Sequence, residues 1–374
     1  MADAEHSNSR CERRHSDNQE GESSQKVLAD VGLDSKNAGT RPGLVHVFNQ
    51  GGHRAMYQTF LASKLGLMPV AGPIRWPLAI RLIRAEQLLF ATISRRTSFN
   101  AILIAFLRAC IGKRTSAICM EEKWYQNTDR RFRSAISFNL FKLLNAVSRL
   151  KVYSVIPHKL MPELTKSTSG WILDLCLWDL LDQQESMLDL VTELSERVRK
   201  VASGRKVVLF LGKASRRKGF DDLASLANAI GDRALIVSAG RVAQECSGSA
   251  ESLRRMGMFV EDRLVSEDEL ISLYSVADYV WCRYDESSGS LSSGVFGRAV
   301  QLQKKTVVRR GSYLHRLAKL LDQSPVHDLE AELSEGQRYG NGSPQANTNP
   351  IGKSQSALLK SMAQKSIDNL RNSL

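Results

Sequence analysis

The chain has 374 residues, 43% of them hydrophobic, which suits two domains of ordinary size with their own cores. Its 52 basic and 39 acidic residues give a formal net charge of +13, which favours nucleic acid, anionic lipid or phosphorylated small molecules as partners. The six cysteines form no C-x-x-C pair, so we expect neither disulfides nor a metal site, and a cytoplasmic location. The start of the chain has no apolar signal region, and the longest apolar stretch, residues 101–107, is far below the roughly 20 residues of a membrane span.

The first half predicts a domain over residues 42–200, preceded by a disordered polar tail over residues 1–41. A short apolar run at 44–48, two glycines and a helical segment at 53–65 predict an opening strand, turn and helix. A strand is predicted at 152–156 and a charged helical segment at 182–202. Between the opening unit and the strand at 152–156, three helical segments rich in apolar and basic residues are predicted at 76–95, 99–111 and 131–150.

The third of these segments has a helical stripe of apolar residues, which predicts a buried face. The stripe consists of Phe132, Ile136, Leu140, Leu143, Val147 and Leu150. Basic residues lie outside it, and they form either a solvated face or a surface that contacts anionic lipid headgroups.

The second half alternates strands and helices, which predicts a parallel sheet with helices on both faces over residues 201–333. Ser266 and Glu269 have the spacing of a capping box at the start of one helix. Residues 334–374 are predicted as a polar linker and a C-terminal helix. The strands are predicted at 206–211, 234–238, 258–260, 278–282 and 306–309, and the helices at 220–230, 267–275 and 295–303.

The stretch GKASRRKGF places four cations and two glycines between the first strand of this domain and a helix. Phosphates bind at this place in α/β proteins, because the carboxyl end of a parallel strand faces a helix N-terminus. We predict that Gly212, Lys213, Lys218 and Gly219 bind phosphate and that the two arginines are exposed. A solvated basic loop is the alternative.

Three segments resemble the donor-binding domain of GT-B glycosyltransferases, most closely the family 4 kind, over roughly residues 207–310. VVLFLGKASRRKGF resembles that family's strand, Gly-Arg loop and Lys-Gly, whose two cations hold the donor diphosphate, with Lys213 at the arginine position. EDELISLYSVADYVWCRY resembles its acidic-Leu helix followed by Ala-Asp and a strand. DESSGSLSSGVFGRAVQLQKKTVV stands where the family has a Glu-x7-Glu loop and helix.

The resemblance implies a GT-B fold, with two Rossmann-like α/β domains facing a cleft and a C-terminal helix. It implies a nucleotide-diphosphate sugar as donor, bound by the second domain, and an acceptor against the first. A lipid-linked or polysaccharide acceptor is expected, as in polysaccharide biosynthesis, with the protein peripheral at the inner face of the membrane. Retention of anomeric configuration, no metal and no cofactor are also implied.

The third segment departs from the family. The second family Glu, which binds the donor ribose, falls near Arg298, and the usual proline after the strand is replaced by Arg283-Tyr284. For the first Glu only two neighbouring carboxylates are available, of which we predict Glu286 as catalytic. The predicted contacts to the donor sugar or nucleotide are Asp285, Ser292, Ser293, Gly294 and Arg298.

In the first domain, Gly51, Gly52 and His53 follow the first strand and are predicted to line the acceptor side of the cleft. His158 follows the strand at 152–156 and is a second catalytic candidate. A lone histidine is weak evidence, so ordinary structural roles stay open for both.

Other classes of protein lack their motifs here. A P-loop nucleotidase needs G-x4-G-K-[ST], and a Rossmann dehydrogenase needs G-x-G-x-x-G. A nucleic-acid binder suits the charge, but no recognition motif is present, and no nucleic-acid partner is expected. A GT-B protein that binds a nucleotide sugar without turnover stays open, because the second Glu is missing.

Overall fold

The computed structural model describes residues 42–48, 53–94, 97–120, 132–182, 186–187, 189–285, 293–338 and 350–374. Two parallel sheets organise them, and the predicted disordered tail lies outside these ranges.

The first sheet has the strand order β2-β1-β3-β4-β5-β6, with every pair parallel. Helices connect the strands, as crossovers between parallel strands require. The strands are β1 (Leu44–Val47), β2 (Met68–Ala71), β3 (Leu88–Ile93), β4 (Thr115–Cys119), β5 (Leu150–Ser154) and β6 (Gly170–Trp171). The helices are α1 (His53–Leu65), α2 (Trp76–Arg84), α3 (Ser98–Cys110) and α4 (Phe132–Ala146).

The second sheet has the order β11-β10-β7-β8-β9 and is also parallel. Its strands are β7 (Lys206–Leu211), β8 (Ala234–Ala239), β9 (Phe259–Glu261), β10 (Tyr279–Trp281) and β11 (Lys305–Val307). The helices of this half are α5 (Glu193–Ala202), α6 (Asp222–Ile230), α7 (Ser247–Arg255), α8 (Glu267–Val276), α9 (Gly294–Gln301), α10 (Tyr313–Leu320) and α11 (Leu329–Arg338), and α12 (Pro350–Arg371) ends the chain.

The prediction of one helix over residues 76–95 is wrong. The helix α2 ends at Arg84, and Leu88–Ile93 is a strand with all six residues buried. A central strand covered on both faces is a continuous apolar run, and its sequence does not distinguish it from a buried helix.

The predicted stripe on α4 is also wrong where the structure describes its side chains. Leu143 and Val147 are each 55% exposed, whereas Phe141 and Leu144 are buried. The helix ends at Ala146, and the last stripe residue belongs to β5, so the buried face is turned from the predicted one.

Two other boundaries differ from prediction. In the charged segment predicted as helical from residue 182, residues 186–187 are helical, but the helix α5 begins only at Glu193, where Thr192 forms a capping box with Ser195. The helix α11 occupies the start of the predicted linker, and residues 339–349 lie outside the described ranges.

The C-terminal helix α12 packs against the first sheet, although it follows the second in the chain. The Ser116 and Ser373 hydroxyls are 2.8 Å apart, and Tyr153 donates a hydrogen bond to the Asn369 carbonyl at 3.1 Å. The chain therefore crosses back to its first half. No helix within the described ranges is long and apolar enough to cross a bilayer.

Both sheets have a point at which the strand order reverses. In the first it lies between β1 and β3, and in the second between β7 and β10. Ligands of open α/β sheets bind at the carboxyl ends of the strands at such a point. A ligand-binding site is therefore expected at each of the two reversal points.

Candidate donor site

The loop after β7 lies at the reversal point of the second sheet. It begins at Gly212, with a φ of 82°, and ends at Gly219, with a φ of 70°. A Cβ added to Gly219 would lie 2.3 Å from the carbonyl oxygen of Arg283, so this position excludes every side chain. The glycines therefore hold the cationic loop against the end of β10.

Lys218 is the half-buried cation of this loop. Its Nζ lies 3.0 Å from the position that a Cβ on Gly212 would take, so the amine sits over the end of β7. Burial lowers the pKa of Lys218, and within the described ranges no carboxylate pairs with it. Since an uncompensated half-buried charge is costly, an anion bound here would be stabilising.

The other cations of the loop are exposed. Lys213, Arg216 and Arg217 all extend into solvent, and Arg216 forms an ion pair with Asp221 at 3.2 Å. The structure therefore brings Gly212, Lys218 and Gly219 together, while the Lys213 side chain stays at the periphery.

The segment after β10 is fastened to the cationic loop. Trp281 Nε1 donates to the Gly219 carbonyl at 3.1 Å, and the Asp285 amide donates to the Arg217 carbonyl at 2.8 Å. Arg283 lies between these contacts, and its buried Nε has no partner among the described residues.

Arg283 is thus a second cation at the reversal point. From the sequence alone, this arginine is only the residue that replaces the usual proline. An arginine directly after a predicted parallel strand was the signal that could have found it.

The start of α9 forms the far wall of this site. Ser293 caps the helix, its Oγ accepting from the Phe296 amide at 3.2 Å, and lies 2.7 Å from the Tyr284 hydroxyl. Burial raises the pKa of Tyr284, so the phenol stays neutral and anchors the cap. Gly294 is the first residue of α9 and Asp285 is exposed.

Arg298 lies on α9 and is engaged by protein carboxylates. Its Nη2 is 2.5 Å from Glu267 Oε1 and 3.9 Å from Asp179 Oδ2, and its side chain is only 8% exposed. The prediction placed it at the donor. The structure directs its charge to Glu267 at the start of α8 and to Asp179.

The first half holds the remaining predicted residues. His158 is half-buried, its Nε2 2.8 Å from Thr168 Oγ1, and burial lowers its pKa. It follows β5, which β3 and β4 separate from the reversal point. His53 begins α1, while Gly51, Gly52, Ser292 and Glu286 lie outside the described residues.

No protein-family model and no curated protein matches this sequence, but solved structures match the fold. Anabaena Alr3699/HepE in complex with UDP aligns with a TM-score of 0.57 at 10% identity, over 89% of this chain and 100% of that chain. Its complex with UDP-glucose gives 0.53 at 11% identity, over 88% and 99%. An alpha,alpha-trehalose-phosphate synthase (UDP-forming) from Burkholderia vietnamiensis gives 0.50 at 10%, over 85% and 80%.

At such low identity the likeness concerns architecture. Two parallel α/β layers, each with its reversal point, and a C-terminal helix that returns to the first layer define the GT-B fold. The predicted fold is confirmed.

Proposed function

We propose that this protein is a glycosyltransferase that uses a nucleotide-diphosphate sugar. The observation that carries the proposal is Lys218, a half-buried lysine at the reversal point with no carboxylate partner among the described residues. The HepE structures that share its fold hold UDP and UDP-glucose, which supports a nucleotide sugar as the donor.

The chemistry follows from where charge develops. Breaking the glycosidic bond of the donor leaves negative charge on a diphosphate. A fixed cation aimed at that charge lowers the barrier, because its position is set before the reaction begins. We propose this role for Lys218 and, toward the same leaving group, for Arg283. We propose that the reaction retains anomeric configuration and requires no metal, with Glu286 and His158 as catalytic candidates.

Lys218→Ala tests the donor site directly. A charge-assisted hydrogen bond is worth roughly 1.5–3 kcal/mol, so we expect the dissociation constant for UDP to rise about 10- to 150-fold. The matched control is Lys213→Ala in the same loop, whose exposed side chain should matter much less. Titration calorimetry gives both values.

Equal affinity of the Lys218 variant and the wild type would contradict the donor site. Release of nucleoside diphosphate from a panel of sugar donors then separates an enzyme from a binding protein. Tight nucleotide binding with no release from any donor would favour a GT-B protein without turnover.

We also propose that the acceptor is lipid-linked or a growing polysaccharide and is met at a cytoplasmic membrane surface. The helices α2, α3 and α4 contain no acidic residue. Exposed apolar side chains and cations occur on and just after α3 and α4, which pack against each other. This α3–α4 surface consists of Leu103, Leu107, Ile111, Arg114, Lys142, Leu143 and Val147.

Such a surface suits anionic lipid, because leucine side chains enter the headgroup boundary while cations stay among the phosphates. We expect the protein to bind phosphatidylglycerol-containing vesicles in preference to pure phosphatidylcholine. Salt should weaken the binding, since the Debye length is about 8 Å at physiological ionic strength.

The double change Leu107→Gln and Leu143→Gln should lower vesicle affinity by at least about tenfold, because each inserted leucine contributes on the order of 1.5 kcal/mol or more. Leu264→Gln is the control, since Leu264 is 65% exposed on the second half of the chain. Salt-independent binding to neutral vesicles would rule out the electrostatic part of this proposal.

A further inference from the structure

A cavity of about 40 Å³ lies at the reversal point of the first sheet. At roughly 10–15 Å³ per water, it has room for about three waters. It can therefore hold one tetrahedral oxyanion but not a sugar ring. Its lining residues are Phe48, Arg54, Thr92, Ile93, Ser94, Thr97 and Met120.

The cavity is polar on the side formed by β3 and the turn that follows it. Thr92 is only 5% exposed, and its hydroxyl has no hydrogen-bond partner among the described residues. A register shift in the β1–β3 pairing sets Thr92 opposite Val47, the last residue of β1. Unlike the enclosed, unpartnered hydroxyl of Thr306, the Thr92 hydroxyl is not sealed off by protein, and Thr92 lines the cavity, so a ligand atom there can accept its proton.

Positive charge comes from Arg54 and from the ends of two helices. Arg54 is the second residue of α1, and Thr97 immediately precedes α3, so both helix N-termini are near the cavity. Neither helix has an acidic residue in its first turn. No described side chain caps α3, because the Thr97 hydroxyl bonds instead to the Ser94 amide at 2.9 Å.

We infer that this cavity binds the phosphate group of the acceptor. The inference rests on the proposed function and deepens it by naming the chemical class of the acceptor, a phosphate monoester or diester. A phosphate here would accept from Thr92, pair with Arg54 and face the amides of α3. The acceptor hydroxyl would then lie toward the second domain, across the cleft from the donor.

Two sources could supply this phosphate, an isoprenyl phosphate from the membrane or a sugar phosphate from solution. Titration calorimetry with farnesyl phosphate, a hexose 6-phosphate and inorganic phosphate compares them. The Lys218→Ala variant serves as background, so that phosphate binding at the donor site does not contribute.

In that background we expect Thr92→Val and Arg54→Gln to weaken phosphate binding about tenfold or more, because each removes a hydrogen bond to a charged group. Thr306→Val is the matched control. Thr306 lies in β11, is equally buried, and also has an unpartnered hydroxyl, but one that is fully enclosed. The valine keeps the shape of threonine, so Thr92→Val tests the site even if the arginine variant fails to fold.

Tighter binding of farnesyl phosphate would assign the site to a lipid-borne acceptor, and tighter binding of the hexose phosphate to a soluble one. The inference is overturned if no phosphate binds, if Thr92→Val binds as well as its parent, or if farnesol binds as tightly as farnesyl phosphate. UDP binding to the otherwise unmodified protein is measured in parallel. If this protein does not bind UDP, the donor proposal is wrong. If it binds UDP but no phosphate binds, only the present inference is wrong.

Discussion

His46 is a fully buried histidine in the middle of β1. Its Nε2 donates to the Gly72 carbonyl at 2.9 Å, and its ring packs edge-on against Phe48 and Phe90. The Nδ1 has no partner among the described residues. Burial lowers the pKa of His46 to about 4, although the bond to Gly72 opposes this shift. The ring is therefore neutral in the folded protein at neutral pH.

This residue predicts a loss of stability in mild acid. The unfolded chain takes up a proton on His46 near pH 6.5 and the folded chain only near pH 4, so stability falls as pH drops through this window. The contribution of His46 to the free energy of unfolding should fall by about 2 kcal/mol between pH 7 and pH 5. Urea denaturation of wild type and His46→Gln at both pH values measures it.

The glutamine amide can replace the donor to Gly72 but does not titrate, so the variant should lose this part of the pH dependence. His327→Gln, at a half-buried position, is the control and should retain the pH dependence that His46 causes. An unchanged slope in the His46 variant would show that the folded protein protonates this ring as easily as the unfolded chain does.

The element that joins the two halves of the molecule is α9. Its Gln301 side chain donates to the Cys176 carbonyl at 2.8 Å and to Asp179 Oδ1 at 2.6 Å, and it accepts from the Leu180 amide at 2.8 Å. The helix approaches so closely that a Cβ on Gly297 would lie 2.2 Å from the Cys176 carbonyl oxygen. The carbonyl oxygen belongs to the backbone and the Cβ is bonded directly to it, so neither can rotate away. The helix α9 and the segment around Cys176 would have to move apart.

Gly297→Ala should therefore destabilise the protein by about 1–3 kcal/mol. The sign is informative, because alanine inside a helix is normally more favourable than glycine by up to about 1 kcal/mol. Gly248→Ala in α7 is the control, since an added Cβ there meets nothing within 4 Å. Chemical denaturation should move the two variants in opposite directions, and a Gly297 variant as stable as the control would refute the close approach.

The elements also show what the sequence could predict. The strands β7 to β11 are short, and turns, glycines or the Ser266–Glu269 capping box separate them from helices. The alternation of these strands with helices could therefore be predicted from the sequence. In the first half, Leu88–Ile93 follows α2 after only three residues and is apolar except for Thr92, so its sequence continues the apolar pattern of the helix.

Because β3 was predicted as part of a helix, Thr92 at its end was not predicted as a site residue. Lys218 is local to one loop and could be predicted from GKASRRKGF alone. Thr92 is a candidate site residue only because it lies opposite the end of β1. The strand order that brings it there depends on packing between distant segments. A hydroxyl at the end of an unrecognised strand carries no signal in the sequence.

At the scale of the whole molecule, α12 makes the two halves interdependent. It follows the second half in the chain, yet Leu359, Ala363, Ile367 and Leu370 are buried on one helical face, and polar groups at and just after its C-terminal end bond to the first half. The Ser366 hydroxyl also accepts from the Leu173 amide at 2.8 Å, at the start of the segment that contacts α9. Loss of this helix packing should weaken the first half more than the second.

Leu370→Ala tests this arrangement, because truncating a buried leucine typically costs 2–5 kcal/mol. Lys360→Ala, at an exposed position of the same helix, is the control and should be nearly neutral. In differential scanning calorimetry we expect the variant to unfold at a lower temperature. Addition of UDP should separate its single transition into two, because UDP stabilises only the second half, where the cationic loop lies.

The wild type should instead shift as one transition with UDP, since α12 and the α9 contacts couple both halves. Two transitions already present in the wild type would mean that the halves unfold independently despite these contacts. A Leu370 variant that still shifts as a single transition would mean that the α9 contacts, with Gly297 against Cys176, are enough to couple the halves. In that case the Gly297→Ala variant, not the α12 variant, should show the split.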